Sequence, residues 1–425
     1  MGKVVKLEPQ AKDRAAGAKA RPRPKRSKTA LVLGGGGFTG GVYEIGALRA
    51  LDLLTVNRTV NDFDVYVGTS AGSFVASMIA NGLTPGEMMR VVDHQRPTPF
   101  PDLDVGNLLR PNVAGFAKSA VTLPFRTVQL LRGMAAQLGQ VSAMDLVLGL
   151  AEGMPAGAYS GAGVERYLHN VLTSDPERTD DFRLLEKELY ITATDLDTCE
   201  RIVFGAEGWA DVPISTAVRA STALPMVYSP VKVRDRELVD GGIVSTTNLD
   251  IAVGKGAKFI VVVNPLVPYV NDFKTKIRTL SGTRTRRVSD MGFPQIGYQA
   301  FKMVAYQRLH EMARQWEQRY PGVDIILIEP EPDDELMFQT PIMNFTSRVE
   351  IARHGFQSVT TQLAFGYPRF REICQRHGIQ ISATRVRNVM KHFEAERSRT
   401  RAWRKILEQT TGALLRQSGD QAQRR

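Results

Sequence analysis

Only two cysteines, Cys199 and Cys374, occur in 425 residues, far apart and without a C-x-x-C spacing. They support neither a disulfide framework nor a structural zinc site, and a reducing compartment is the expected home. Histidine is almost as scarce, with only His94, His169, His310, His354, His377 and His392. No cluster among them has metal-ligand spacing, so no metal is expected. No apolar run reaches the roughly 20 residues of a membrane span. The first 28 residues lack the apolar core of a secretory signal. Met1-Gly2 opens like an acylation signal, but Lys6 stands where Ser or Thr is required. A soluble or peripheral protein is expected.

Acidic residues are sparse only at the two ends. Residues 1–28 carry a net charge of +8 and residues 367–425 one of +9, whereas the chain between them sums to −6. Positive charge at both termini suits an anionic partner or simple solubility. Residues 1–28, rich in Lys, Arg, Ala and Pro, read as a disordered basic arm.

Within the middle, 43% hydrophobic content over the whole chain is enough for a large core. The first strand pattern, Thr29-Ala30-Leu31-Val32-Leu33, runs into Gly34-Gly35-Gly36-Gly37-Phe38-Thr39-Gly40-Gly41. A helical period follows through Val42, Ile45, Leu48, Leu51 and Leu54. Such a unit offers free backbone N–H groups at a positive helix end, suited to an anion. Gly35, Gly37 and Gly40 also satisfy G-x-G-x-x-G, which admits a dinucleotide-binding reading. No acidic residue ends the second strand to hold a ribose, since Asp62 and Asp64 precede it. A Walker A loop is excluded because no Gly-Lys-Ser/Thr follows.

Tyr66-Val67-Gly68-Thr69-Ser70-Ala71-Gly72 is an apolar run that stops at a glycine-bracketed serine and restarts as Ser73 to Ala80. Strand, one-residue elbow and helix would present the Ser70 hydroxyl at the top of a sheet. The alternative is an N-cap serine satisfying helix N–H groups. Farther on, Glu188 to Asp195 reads as a strand, Cys199 to Phe204 as its hairpin return, and Val212 to Ser221 as a helix capped by Asp211. Val231 to Val233 and Glu237 to Val239 flank a charged turn and lead to Asp240-Gly241-Gly242, either a site or an ordinary Asp-Gly turn. Lys258 to Pro265 and Asp324 to Pro330 are further strands. Strands alternating with helices predict an α/β domain with a mostly parallel sheet, whose strand ends gather the site.

Residues 97–155 interrupt this alternation. They are rich in proline at first and then apolar with sparse, mostly basic charges, as a lid lying in a membrane interface or a buried helical insertion would be. His310 and His354 fall in helical patterns and read as ordinary helix residues, so a Ser-His-Asp triad finds no partner for Ser70. From Tyr367 onward, apolar residues recur at helical spacing with arginines and lysines interleaved. Residues 367–425 therefore read as a basic amphipathic helical tail, docked on an anionic bilayer, packed on the core or held in an oligomer contact.

Gly34 to Gly40, Gly68 to Gly72 and Asp240 to Gly242, in this order and each after a strand, resemble the three motifs of the patatin-like phospholipase family. Tyr190 to Asp197 and Ala220-Ser221-Thr222-Ala223-Leu224-Pro225 are similar to two intervening family segments. The resemblance covers residues 29–366 and implies the family's three-layer fold, a mostly parallel central sheet flanked by helices. It also implies a cofactor-free lipid acyl hydrolase with Ser70 as nucleophile and Asp240 as its base. Gly35, Gly36 and Gly37 would form the oxyanion hole, supported by Gly40, Gly68, Gly72, Gly241 and Gly242. One departure is Thr39, where the family carries Arg or Lys, followed by an extra Gly41. The expected partners are a phospholipid or other lipid ester and, through the basic ends, an anionic membrane face, with nucleic acid disfavoured. The expected location is cytoplasmic, peripheral on the inner face of the membrane. A catalytically silent relative and a nucleotide-binding protein stay open as alternatives, and the oligomeric state is not specified.

Overall fold

The structure, a computed structural model, describes residues 27–93, 100–101, 105–136, 153–271, 273, 276–279, 282–285, 287–332, 334, 336–337, 345–393 and 395. The arm over 1–26, the apolar stretch 137–152 and the chain beyond 395 lie outside the described residues.

Strand β1 (Thr29–Leu33) runs into α1 (Gly37–Leu54), and β2 (Val65–Thr69) into α2 (Ala71–Ala80). Helices α3 (Pro85–Val92), α4 (Val105–Leu108) and α5 (Val113–Ala136) follow, then β3 (Gly157–Tyr159) and α6 (Ala162–Thr173). The middle of the chain forms β4 (Glu188–Asp195), β5 (Arg201–Phe204), α7 (Ile214–Ser221), β6 (Met226–Tyr228), β7 (Val231–Val233) and β8 (Arg236–Asp240). After α8 (Leu249–Gly254) and β9 (Phe259–Val263) come the hairpin β10 (Lys276–Thr279) and β11 (Gly282–Thr285), then α9 (Phe293–Arg314) and α10 (Trp316–Arg319). Strand β12 (Asp324–Ile328), α11 (Arg348–Phe365) and α12 (Tyr367–Arg376) complete these elements.

The main sheet has the order β12-β9-β1-β2-β4-β8-β7, with β5 also on β4. The pairings from β12 to β4 are parallel, and β5, β8 and β7 enter antiparallel. Parallel strands covered on both faces read as continuous apolar runs, and β1, β2 and β9 are buried at every position. Their side chains alternate between two cores. Leu31, Leu33, Tyr66, Val261 and Val263 pack under α1, α2, α3 and α11. Ala30, Val32, Val65, Val67, Ile260 and Val262 pack against Leu249 of α8, Leu309 of α9 and Trp316 of α10. This is the expected three-layer α/β arrangement, a mostly parallel sheet between helices.

Two features position the helices around the end of the sheet where Ser70 lies. Helix α1 crosses α11 where Gly46 meets the Ala352 carbonyl, a gap so narrow that a Cβ would come within 2.1 Å of that oxygen. The glycine loop at the head of α1 is thereby braced from behind. Helix α3 opens on a capping box in which Thr84 accepts from the Glu87 amide at 3.2 Å and Glu87 reaches back to the Thr84 amide at 2.8 Å.

Three expectations change. Helix α7 begins at Ile214 behind Pro213, so Asp211 is not its cap and instead pairs with Arg234 at 2.7 Å. The segment beyond the expected boundary at residue 366 narrows to one of its open placements, packed on the core: Tyr367, Ile373, Cys374, Ile379 and Val386 all enter the larger core. Arg376 and His377 pin this segment to Asp324, at 2.6 and 2.8 Å. Within the stretch 97–155, α5 exposes Val113, Phe116, Val121, Phe125 and Val128, so the described part of that insertion is not a buried helix. No described helix is long and apolar enough to cross a membrane.

Candidate active site

Ser70 is the one residue between β2 and α2, the N-cap of α2, with φ 54° and ψ −126°, a backbone conformation that costs a non-glycine residue about 1–3 kcal/mol. Its two glycines permit the turn by close approach. A Cβ on Gly68 would lie 2.4 Å from Ser73 Cα, and one on Gly72 2.4 Å from the Leu33 carbonyl oxygen. The surroundings hold the strained residue in place. Ser70 N–H donates to Ser221 Oγ at 2.8 Å, the Ser73 amide donates to the Ser70 carbonyl at 2.9 Å, and the Gly72 amide donates to the Gly34 carbonyl at 3.1 Å.

The register of the sheet brings the acid to the serine. Thr69 pairs with Thr192 and, one residue farther along β4, Ala193 pairs with Asp240 of the antiparallel β8. β8 therefore arrives from beyond the end of β2 and stops where β2 stops. Ser70 Oγ donates to Asp240 Oδ2 at 2.5 Å, and the Gly242 amide donates to Asp240 Oδ1 at 2.8 Å. Both side chains are buried. Burial pushes the Asp240 carboxyl up to about 6, although its bonds to Ser70 and Gly242 oppose that rise. Gly241 lies too close to the Thr192 carbonyl to carry a side chain, 2.3 Å from a built Cβ. Beneath the pair, Asn248 Nδ2 donates to the hydroxyls of Thr69 and Thr192 at 2.9 and 3.1 Å.

The glycine loop faces this pair, and a Cβ on Gly35 would lie 3.4 Å from Ser70 Cβ. Its donors are not equivalent. The Gly35 amide donates to the Thr246 carbonyl at 3.2 Å, so it is already spent and the expected set of three narrows. Gly36, the N-cap of α1, and Gly37, its first residue, are positions whose amides lack intrahelical acceptors. Gly40 closes the loop by donating to the Gly36 carbonyl at 3.0 Å.

Ser70, Asp240 and Gly35 to Gly37 line one cavity of about 150 Å³. Much of its remaining wall is apolar: Phe38, Val42 and Ile45 of α1, Phe74 and Met78 of α2, and Met88, Val91 and Val92 of α3. No histidine lines it among the described residues. His310 instead bonds Glu329 at 2.8 Å, His354 bonds Asp334, and His169 bonds Asp180 at 2.8 Å. Ser70 and the motif residues are thus brought together, and the described histidines lie outside the cavity lining.

Sequence patterns did not single out four residues. Tyr298 of α9 lines the cavity, and burial together with the Asp240 charge raises its phenol above the ordinary range. Lys302, one turn on, holds its Nζ 4.8 Å from the Tyr298 ring centre, and burial pulls its ammonium down to about 8. The i, i+4 spacing of these residues marks a shared face, but not what that face covers. Arg348 is the one cation lining the cavity among the described residues. It donates to the carbonyls of Val92 and Phe345, both at 2.8 Å. Glu44, inside α1, is fully buried, and neither carboxyl oxygen has a hydrogen-bond partner among the described residues. Burial drives its pKa far above the ordinary value, with only partial relief from the adjacent Gly34 backbone.

An α/β sheet with a strained serine and a buried aspartate meeting at its strand ends is the class that fold and site define. A sequence model of the patatin-like phospholipase family matches residues 31–253, more than half the chain. The chain belongs to that family. A probable lipid hydrolase of Invertebrate iridescent virus 6 is 24% identical over 236 residues, 54% of this chain and 65% of that protein. The match thus spans under two thirds of that relative's length. Among solved structures, VipD from Legionella pneumophila is similar at TM-score 0.38 and 14% identity, covering 80% of this chain and 67% of that one. The type III effector ExoU gives TM-score 0.35 and 16% identity over 83% of this chain and 54% of its own. Human GIVD cytosolic phospholipase A2 in complex with methyl gamma-linolenyl fluorophosphonate gives 0.33 and 11% over 83% and 59%.

Proposed function

We propose that the protein is a lipid acyl hydrolase that cleaves the acyl ester of a phospholipid or related lipid through Ser70 and Asp240. The observation that carries this reading is the 2.5 Å bond from Ser70 Oγ to a buried carboxylate. A serine hydroxyl is a weak nucleophile until an adjacent base takes its proton, and a desolvated carboxylate is basic enough to do so.

In this reading Ser70 Oγ attacks the ester carbonyl carbon as its proton passes to Asp240 Oδ2. The tetrahedral oxyanion faces the amides of Gly36 and Gly37 at the positive end of α1. The intermediate collapses, the alcohol departs with the proton from Asp240, and the acyl group remains on Ser70. Water then attacks the acyl-serine, giving its proton to Asp240, and the fatty acid leaves as Ser70 recovers the proton. The apolar walls contributed by α1, α2 and α3 suit an acyl chain. The exposed apolar residues of α5 and the basic termini suit a peripheral position on an anionic membrane face, the cytoplasmic one in a reducing compartment.

Fatty acid release from phosphatidylcholine vesicles tests the reading. The wild type is expected to release acid, and Ser70→Ala and Asp240→Asn each to lose at least about 10³-fold. Equal release by wild type and Ser70→Ala would overturn it.

A further inference from the structure

A second depression lies behind the catalytic cavity, on the opposite side of the same helices. Helix α3 gives Met88, Val91 and Val92 to the cavity around Ser70, but turns Met89 and Arg90 into a groove of about 350 Å³. Helix α11 does likewise, with Arg348 on the catalytic side and Arg353 on the other. The floor of this groove is the crossing of α1 and α11 at Gly46 and Ala352, and a helix over 383–393 closes one wall.

Its charge is one-sided. Arg49, Arg90 and Arg353 all line it, with His392 beside them. Asp93 is the one carboxylate among the lining residues, and it is already engaged. Elsewhere the chain pairs exposed arginines with acids, as in Arg201 with Asp250 and Arg376 with Asp324. Neither Arg90 nor Arg353 forms such an ion pair among the described residues. Arg49 rests its guanidinium over the Phe356 ring, 5.5 Å from its centre, an arrangement that orients it. Three arginines lining one depression concentrate positive charge that an anion would offset, and the planar fork of a guanidinium matches phosphate oxygens.

We propose that this groove is a binding site for a phosphate-bearing anion, held by Arg49, Arg90 and Arg353 and separate from the site of Ser70. The phosphate can belong to a lipid headgroup or to a free phosphate ester, and the recognising chemistry is the same for both.

The test uses the full chain, Arg90→Gln/Arg353→Gln and Arg90→Lys/Arg353→Lys. Binding is measured to glycerol 3-phosphate by calorimetry, and to phosphatidylcholine vesicles with and without phosphatidic acid by co-sedimentation. The expected result is affinity for at least one phosphate probe, weakened about tenfold or more in the glutamine variant and less in the lysine variant. Loss in the vesicle arm alone assigns the site to a headgroup, and loss in both arms to phosphate esters in general. Both changes are at exposed positions, and an unchanged thermal melt without ligand confirms that the variants fold. Should a variant fail to fold, the wild type decides: its melting temperature must rise with glycerol 3-phosphate or with phosphatidic acid vesicles. Absence of binding in the wild type, or undiminished binding in the glutamine variant, overturns the proposal.

Discussion

The amide of Ser70 rests on the hydroxyl of Ser221 at 2.8 Å. The end of α7 therefore holds the backbone of the serine while β8 holds its side chain through Asp240. Ser221→Ala leaves a buried N–H without an acceptor, which costs about 1–3 kcal/mol, and frees the elbow to relax from its strained φ. The expected outcome is a lower melting temperature and a kcat reduced about ten- to a hundredfold with KM little changed. A KM effect without a kcat effect would place Ser221 in substrate binding instead.

With Asp240 as the proposed base, its carboxyl sets the pH dependence. Its carboxyl is raised from 3.8 to about 6, first of all by burial, and only the ionised form accepts a proton from Ser70. Ester hydrolysis is expected to fall about tenfold per unit below about pH 6 and to level off above it. Stability moves the other way. Because the folded state holds this proton more tightly, its stabilising contribution is complete below 3.8 and is lost as pH rises through about 6. Asp240→Asn should therefore melt at a higher temperature than wild type at pH 8 and match it near pH 4, while its hydrolysis is abolished. A kcat/KM profile that stays flat from pH 5 to 8 would show that another group is the base.

Glu44 gives a stability prediction free of catalysis. Its carboxyl is shut from water with no hydrogen bond of good geometry among the described residues, and burial raises it well above the usual value against a smaller opposing effect of the Gly34 backbone. The stability it contributes as a neutral acid is present below the ordinary glutamate value and is lost as pH rises through the folded value. Glu44→Gln should raise stability by about 1–3 kcal/mol at pH 8 and have no effect near pH 4. Thermal melts at the two pH values check this, and an equal shift at both would contradict it.

Most of the sheet could be read from the sequence because parallel strands are buried on both faces, so β1, β2 and β9 appear as apolar runs. The elbow was legible because Gly68 and Gly72 have no tolerable replacement beside Ser73 and Leu33. The direction of β8 was not legible, since an Asp-Gly-Gly end looks the same in either orientation and only the Ala193 to Asp240 pairing fixes it. The place of residues 367–393 stayed open in the sequence for a physical reason. A helix such as α12 puts basic residues outward and Tyr367, Ile373 and Cys374 inward, and this amphipathic pattern fits a core-packed helix as well as a membrane-bound one. Donor occupancy in the glycine loop depends on where Thr246 falls in space, which no local spacing encodes.

Covalent labelling with an alkyl fluorophosphonate, read by intact-protein and peptide mass spectrometry, tests the central claim most directly. The Ser70–Asp240 bond predicts a single adduct on Ser70 in the wild type, none on Ser70→Ala, and labelling slowed about 10³-fold or more in Asp240→Asn. No adduct on the wild type, or undiminished labelling of Ser70→Ala, would contradict the account.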